Sequence, residues 1–206
     1  MATVIPNEEL LQPVDWQPVV LHLKPAVELE NDQFFEICQI NRDLRIERNA
    51  RGELLIMPPA GGRTSERNAE ITMQLRIWAK RDGTGVSFDS SGGFVLPNDA
   101  VRSPDAAWIR QSRLESVTAE QRKKFIPLCP DFVLELRSPT DPLGILQSKM
   151  QEYLDNGAQL GWLIDPETQR VYVYRPASPV ECLDKPDLLT GDPVLAEFFL
   201  NLREIW

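Results

Sequence analysis

Histidine is almost missing from this chain. A single imidazole, His22, stands against 31 Asp and Glu in 206 residues, and imidazole carries most acid–base and metal chemistry near neutral pH. A Ser-His-Asp triad, a Cys-His dyad and an HExxH zinc site each need histidine beside fixed partners, whereas His22 sits alone in Val19-Val20-Leu21-His22-Leu23. That segment reads as a strand with His22 half-exposed. Cysteine is sparse too: Cys38, Cys129 and Cys182 lie far apart with no CxxC spacing, which excludes a zinc knuckle and a disulfide framework and fits reduced thiols in a cytoplasm. No apolar run approaches the ~20 residues of a membrane span. The first basic residue, Lys24, follows Glu8, Glu9 and Asp15, so no secretory signal is expected. Gly83-Thr84-Gly85 and Gly92-Gly93 fit neither a dinucleotide fingerprint nor a phosphate loop. Carboxylates must carry any catalysis.

Net charge is -9, which at first argues against a phosphate partner. Its distribution weakens that objection. Residues 1–41 carry net -6 and residues 176–206 net -4, leaving the central body at +1. The acidity belongs to the two ends.

Length and apolar content predict one domain over residues 19–206, with residues 1–18 an extended or poorly ordered arm containing Pro6, Pro13 and Pro18. A short helix is expected from Asn31 through Cys38. It is followed by a hairpin of Leu44–Arg48 and Glu53–Met57 about a Gly52 turn, together an N-terminal helix-hairpin extension. Thr64 or Ser65 is expected to cap a helix in which Asn68, Ile71, Leu75 and Trp78 recur at helical spacing through Lys80. Short strands follow at Val86–Asp89, Phe94–Leu96 and Ala106–Ile109, then a surface helix within the polar stretch 111–124. In Phe132-Val133-Leu134-Glu135-Leu136-Arg137, period-two alternation puts Phe132, Leu134 and Leu136 on one face and Val133, Glu135 and Arg137 on the other. Leu143, Leu146, Met150, Tyr153 and Leu154 define an amphipathic helix ending near Asn156-Gly157, with Lys149 bordering its apolar stripe. A hairpin of Leu160–Ile164 and Val171–Tyr174 follows, and strands are expected around Leu195–Leu202.

Pro104-Asp105 opens one strand and Glu135-Leu136-Arg137 lies in a later one. Two carboxylates from neighbouring strands can hold a hard cation such as Mg²⁺, which prefers oxygen ligands and keeps several waters. The Leu136 main-chain carbonyl would add a further oxygen. A cation so held polarises a phosphodiester and stabilises the leaving oxygen without histidine.

Five ordered segments then resemble the PD-(D/E)XK nuclease superfamily, the restriction-endonuclease-like fold, and within it the bacterial Uma-two family of endonucleases. They are Met57-Pro58-Pro59, Arg102-Ser103-Pro104-Asp105-Ala106-Ala107-Trp108-Ile109, Pro130 through Pro139, Lys149-Met150-Gln151-Glu152-Tyr153 and Gly161-Trp162-Leu163-Ile164-Asp165-Pro166. The resemblance implies an α/β fold with an αβββαβ core and a mixed central sheet flanked by helices. It also implies a metal-dependent nuclease acting on DNA with Mg²⁺ or Mn²⁺. Carried over residue by residue, Asp105 is the first metal-binding acid and Glu135 the second. The third motif position holds Arg137 where the superfamily usually has lysine; arginine stays protonated and serves as a phosphate-binding fork rather than a base. Lys149 resembles the lysine of the family's helix motif. Tyr153, one turn on, is expected to pack in the core. The first helix can add an acid near the metal, here Glu70 or Glu66. Arg63, Arg67, Arg102 and Arg110 flank the site in sequence and could contact phosphates, the alternative being scattered surface arginines, while Asp131 is assigned to the start of the strand.

Two other readings stay open. One is a nuclease-fold protein that has lost catalysis and binds nucleic acid or a protein partner, motivated by Arg137 and the acidic ends. The other is a hydrolase of small phosphorylated substrates, because a carboxylate–metal site does not specify a polymer. The sequence leaves open whether two subunits pair, although the N-terminal arm and a tail with Phe198 and Phe199 could build a homodimer surface.

Overall fold

The computed structural model describes residues 19–206, so the expected N-terminal arm lies outside the described residues. Strand β1 (Val19–Leu21) leads to His22, which is exposed with Nδ1 2.9 Å from Glu53 Oε1. Helix α1 (Asn31–Ile40) begins where Gln33 accepts the Glu30 N–H at 2.9 Å. Strands β2 (Arg45–Arg48) and β3 (Leu54–Met57) form the expected hairpin, and Gly52 takes the positive φ of 83° that its turn requires.

Helix α2 (Gly62–Asp82) starts earlier than Thr64. The Gly61 carbonyl already accepts the Ser65 N–H at 2.9 Å, so Thr64 falls inside the first turn, where it is buried. Gly83 ends the helix at φ 72°. Strands β4 (Gly85–Asp89), β5 (Phe94–Val95), β6 (Val101–Arg102) and β7 (Ala106–Arg110) follow.

The polar stretch is not one surface helix. It is the four-residue α3 (Gln111–Leu114) and a separate 3₁₀ turn at Gln121–Lys123. Burial of Leu114 and Val117 draws the intervening chain onto the core, and Thr118 and Gln121 restart the helix by exchanging side-chain bonds with each other's N–H. Strand β8 (Phe132–Leu136), helix α4 (Leu143–Asp155), strand β9 (Leu160–Asp165) and strand β10 (Arg170–Tyr174) then run as expected. Strands β11 (Glu181–Asp184), β12 (Leu188–Thr190) and β13 (Phe199–Asn201) complete the chain.

The main sheet has the order β11-β10-β9-β8-β7-β4. Its β8–β9 pair is parallel, with Glu135 opposite Leu163, and the other pairs are antiparallel. Parallel neighbours need a crossover, and α4 supplies it. The order α2, β4, β7, β8, α4, β9 is the αβββαβ core. A second sheet, β1-β3-β2-β6-β5, lies beside it, and β12 pairs with β13.

Alternation along β7 and β8 divides the core in two. Trp108, Phe132, Leu134 and Leu136 pack with Ile71, Leu75 and Trp78 of α2 and with the C-terminal segment. Ala107, Ile109 and Val133 pack on the opposite face with Met150 and Tyr153 of α4. Phe198, a candidate for a dimer surface, is instead core: it lies 5.3 Å from the Trp78 ring and stacks on Trp162 at 5.9 Å. Phe199 is exposed, because neighbouring residues of β13 point to opposite faces. Among the described residues, no helix is long and apolar enough to cross a membrane.

Candidate active site

The two carboxylates singled out in the sequence meet at one end of the main sheet. Ala106 pairs with Leu134 in the antiparallel β7–β8 ladder, so Asp105, just before β7, lies opposite the end of β8 that carries Glu135. Strand alternation turns Glu135 toward the α4 face, while Asp105, in the bend before β7, is met by Asn68 of α2 and by Arg45 of β2. Both are buried, and the Leu136 N–H donates to Asp105 Oδ2 at 2.9 Å, locking the loop before β7 to β8.

Helix α4 brings the cation. Lys149 Nζ lies 2.8 Å from Glu135 Oε1 and 2.9 Å from Glu47 Oε1. One turn later, the Tyr153 hydroxyl donates to Glu135 Oε1 at 3.0 Å. Tyr153 therefore does pack in the core, yet it also fixes a site carboxylate. Both donors hold Oε1 and leave Oε2 free of protein donors among the described residues.

A third acid, Glu47, comes from the second sheet. On β2, Arg45 and Glu47 share the face turned to the site. Glu47 accepts from Lys149, from Arg102 Nη1 at 3.1 Å and from the Ser103 N–H at 3.0 Å, and Arg102 Nε continues the network to Glu152 at 2.6 Å. Arg45 Nη2 donates to the Ser103 carbonyl at 2.8 Å and stands 3.5 Å from Asp105 Oδ1, while its buried Nε has no partner among the described residues.

These environments drive the two buried glutamates apart. Burial, with Asp105 and Glu47 nearby, pushes the Glu135 carboxyl up to about 7 despite Lys149. Burial opposes ionisation of Glu47 as well, but Lys149, Arg102 and the Ser103 N–H together outweigh it and hold that carboxyl at about 2. Lys149 loses hydration, but Glu135 and Glu47 still raise its pKa. It is a fixed cation at neutral pH rather than a base.

Arg137 does not join this group. Strand β8 ends at Leu136, and the Arg137 guanidinium turns to Asp165 Oδ2 at 2.9 Å and to the Asp141 carbonyl at 2.9 Å. The arginine beside the carboxylates is Arg45. Glu70 faces away, accepting from Gln74 Nε2 at 2.9 Å where Gln74 meets Asn201, and Glu66 is exposed. The residue by which α2 reaches the site is Asn68, whose Nδ2 lies 3.3 Å from Asp105 Oδ1. Asp131 stands at the other end of β8, accepting the Arg110 N–H at 2.9 Å and pairing with Arg113 at 3.1 Å; Arg110 is exposed at that same end. Glu47, Arg45 and Asn68 escaped sequence reasoning, although Glu47 carried a faint signal as an acid flanked by apolar and basic residues in a strand.

The donor set suits a hard divalent cation. Glu135 Oε2 is open, and the buried Asn68 Oδ1 lacks a partner among the described residues. The Leu136 carbonyl shares the side of its N–H, and continuing the β7–β8 register puts Pro104, which has no N–H, opposite it. Among the described residues no group of three His, Cys, Asp or Glu is placed to hold a metal, and Glu47 is engaged by Lys149, Arg102 and the Ser103 N–H, so amide and main-chain oxygens would complete the protein's share of a shell that in Mg²⁺ sites retains waters.

Among solved structures, the crystal structure of "a putative nuclease belonging to DUF820 from Anabaena variabilis ATCC 29413" is similar with a TM-score of 0.71 and 23% identity, over 86% of this chain and 97% of that one. That likeness establishes the shared fold. No curated protein matches the chain significantly. The family model of Uma2, described as "Putative restriction endonuclease", matches residues 31–203. The chain belongs to the Uma2 family.

Proposed function

We propose that this protein is a Mg²⁺- or Mn²⁺-dependent endonuclease that hydrolyses DNA phosphodiester bonds. Asp105 and Glu135 would hold the metal, with the Leu136 carbonyl and Asn68 as neighbouring oxygens. The observation that carries the reading is the gathering of Asp105, Glu135 and Lys149 at one end of the main sheet, with Asp105 bonded to the Leu136 N–H beside Glu135 and Lys149 Nζ 2.8 Å from Glu135 Oε1. Family and fold support a nuclease. When bound, such a cation polarises the phosphodiester and stabilises charge on the leaving oxygen.

The chain's own groups do the rest. Tyr153 and Lys149 hold Glu135 through one oxygen, leaving the other without a protein donor among the described residues. Lys149 and Arg45 are cations fixed before substrate arrives, so charge developing on a phosphate meets donors that need no reorganisation. Arg137 braces β8 against Asp165, and charge stabilisation falls to Lys149 and Arg45.

A DNA-nicking assay with Mg²⁺ or Mn²⁺ tests this on wild type and Asp105→Ala together. Nicking by the wild type alone is expected. Failure of the wild type to cut single- or double-stranded DNA, or equal cutting by the variant, overturns it. Calorimetric titration with Mn²⁺ separates an active site from a binding module: heat that disappears in Glu135→Gln is expected of the nuclease.

A further inference from the structure

Beside the carboxylate cluster, the start of α2, the β9–β10 turn and Trp206 enclose an open groove of about 400 Å³ lined by Arg63, Arg67, Glu167, Lys185 and Trp206, among others. Arg63 and Arg67 are one turn apart on the same side of α2. Arg67 is only 9% exposed, yet its guanidinium makes no hydrogen bond or ion pair with any described residue; Arg63 and Lys185 make no ion pair with a described residue either. The Arg67 stem is buried while its guanidinium nitrogens stay open to the groove, so the fork is free to take an anion. Three cations face Glu167, the one carboxylate side chain of the lining, in a chain of net charge -9. Gly61 supplies no side-chain cap to α2, leaving the positive end of a long helix on the same side. Trp206 Nε1 donates to the Pro186 carbonyl at 3.1 Å and its ring packs partly buried against the core, forming part of the groove wall.

Both walls of the groove connect to segments adjoining the carboxylates. Asn68, the residue after Arg67, reaches Asp105. On the other wall, Asp165 accepts from Arg137 at 2.9 Å, from Thr168 Oγ1 at 2.9 Å and from the Glu167 N–H at 3.1 Å. This ties the turn to the residue two places after Glu135.

We propose that the groove grips a non-scissile phosphate of the DNA strand, with Arg67 and Arg63 as fork donors, Lys185 as a point charge and the Trp206 ring as the wall beneath the adjoining sugar or base. The proposal deepens the nuclease reading and rests on it for the identity of the polymer. Arginine suits the role because its planar fork matches two phosphate oxygens at once.

Fluorescence anisotropy of a labelled DNA duplex in EDTA, across a salt series, tests the groove without cleavage. Arg63→Ala/Arg67→Ala is expected to weaken binding about 10-fold or more and to lower the salt slope by about 2, one for each arginine removed from the phosphate backbone, while Lys123→Ala, an exposed cation outside the groove lining, binds like wild type. Arg63→Glu guards against a folding artefact, because an acid in the first turn of a helix is favoured by its dipole; it too should lose binding. Unchanged affinity and slope in these variants, absence of DNA binding by the wild type, or binding of a free mononucleotide with none of DNA, overturns the proposal. Arginine-dependent binding without nicking would sink the nuclease reading alone. Asp105-dependent nicking with binding indifferent to the arginines would sink the groove alone.

Discussion

Lys149 on α4 and Glu135 on β8 meet at 2.8 Å, the helix giving back to the strand the lysine that its own third motif position replaces with Arg137. The parallel β8–β9 pair brings this about. Its crossover lays α4 across the sheet face to which Glu135 points, so a lysine on the inner edge of the helix reaches the carboxylate from above.

Lys149→Met should lower metal-dependent nicking at least about 100-fold, corresponding to roughly 3 kcal/mol of missing charge stabilisation. It should also destabilise the fold by about 3 kcal/mol, since Glu47 and Glu135 are left buried without their cation. Lys149→Arg should recover most of the stability and only part of the activity, because a planar fork does not reproduce the compact ammonium. Nicking rates and urea melts on the same preparations check both halves.

Arg137→Ala predicts the opposite pattern. Its guanidinium bonds Asp165 and the Asp141 carbonyl rather than the acid pair, so nicking should stay within about 3-fold of wild type. Stability should fall by about 2 kcal/mol, since Asp165, 1% exposed, keeps Thr168 and Glu167 as donors but loses its charge partner. A larger loss of nicking than of stability would contradict this placement.

Tyr153→Phe keeps the buried ring and deletes one donor to Glu135 Oε1. A cost of about 1.5 kcal/mol is expected, the range for a hydrogen bond to an ionisable buried group. Nicking should fall about 10-fold as Glu135 loses its fixed orientation. Full activity in this variant would leave the hydroxyl a packing group only.

Glu47 gives acid sensitivity of known sign. Its carboxyl is held at about 2 in the folded protein, below the ordinary value of about 4.3 in an unfolded chain. The unfolded state therefore takes up the proton first as pH falls. Stability from Glu47 is present in full above about pH 5 and fades as pH drops toward 2, by up to about 3 kcal/mol. Glu47→Gln should lack that component, so the wild-type advantage in urea melts should be large near neutrality and shrink steadily in acid. A constant difference across this range would refute the assignment.

Period-two alternation in β8, the helical stripe of α4 and the turn prolines around them are local properties, and they determined by themselves that Glu135 would face away from Phe132, Leu134 and Leu136 and that Lys149 would edge an apolar helix face. Scarcity of histidine directed the chemistry to carboxylates, and ordered motifs singled out Asp105. What the sequence alone left open is how distant segments share that face. Glu47 and Arg45 reach it from a second sheet, Asn68 enters from α2 in place of Glu70, and Phe198 turns inward between two tryptophans. Arg137 leaves because β8 stops one residue before it and Asp165 waits in the neighbouring strand. Such choices depend on desolvation and charge pairing across the sheet, where a buried group takes whichever partner the assembled fold holds within about 3 Å, and no local pattern encodes that distance.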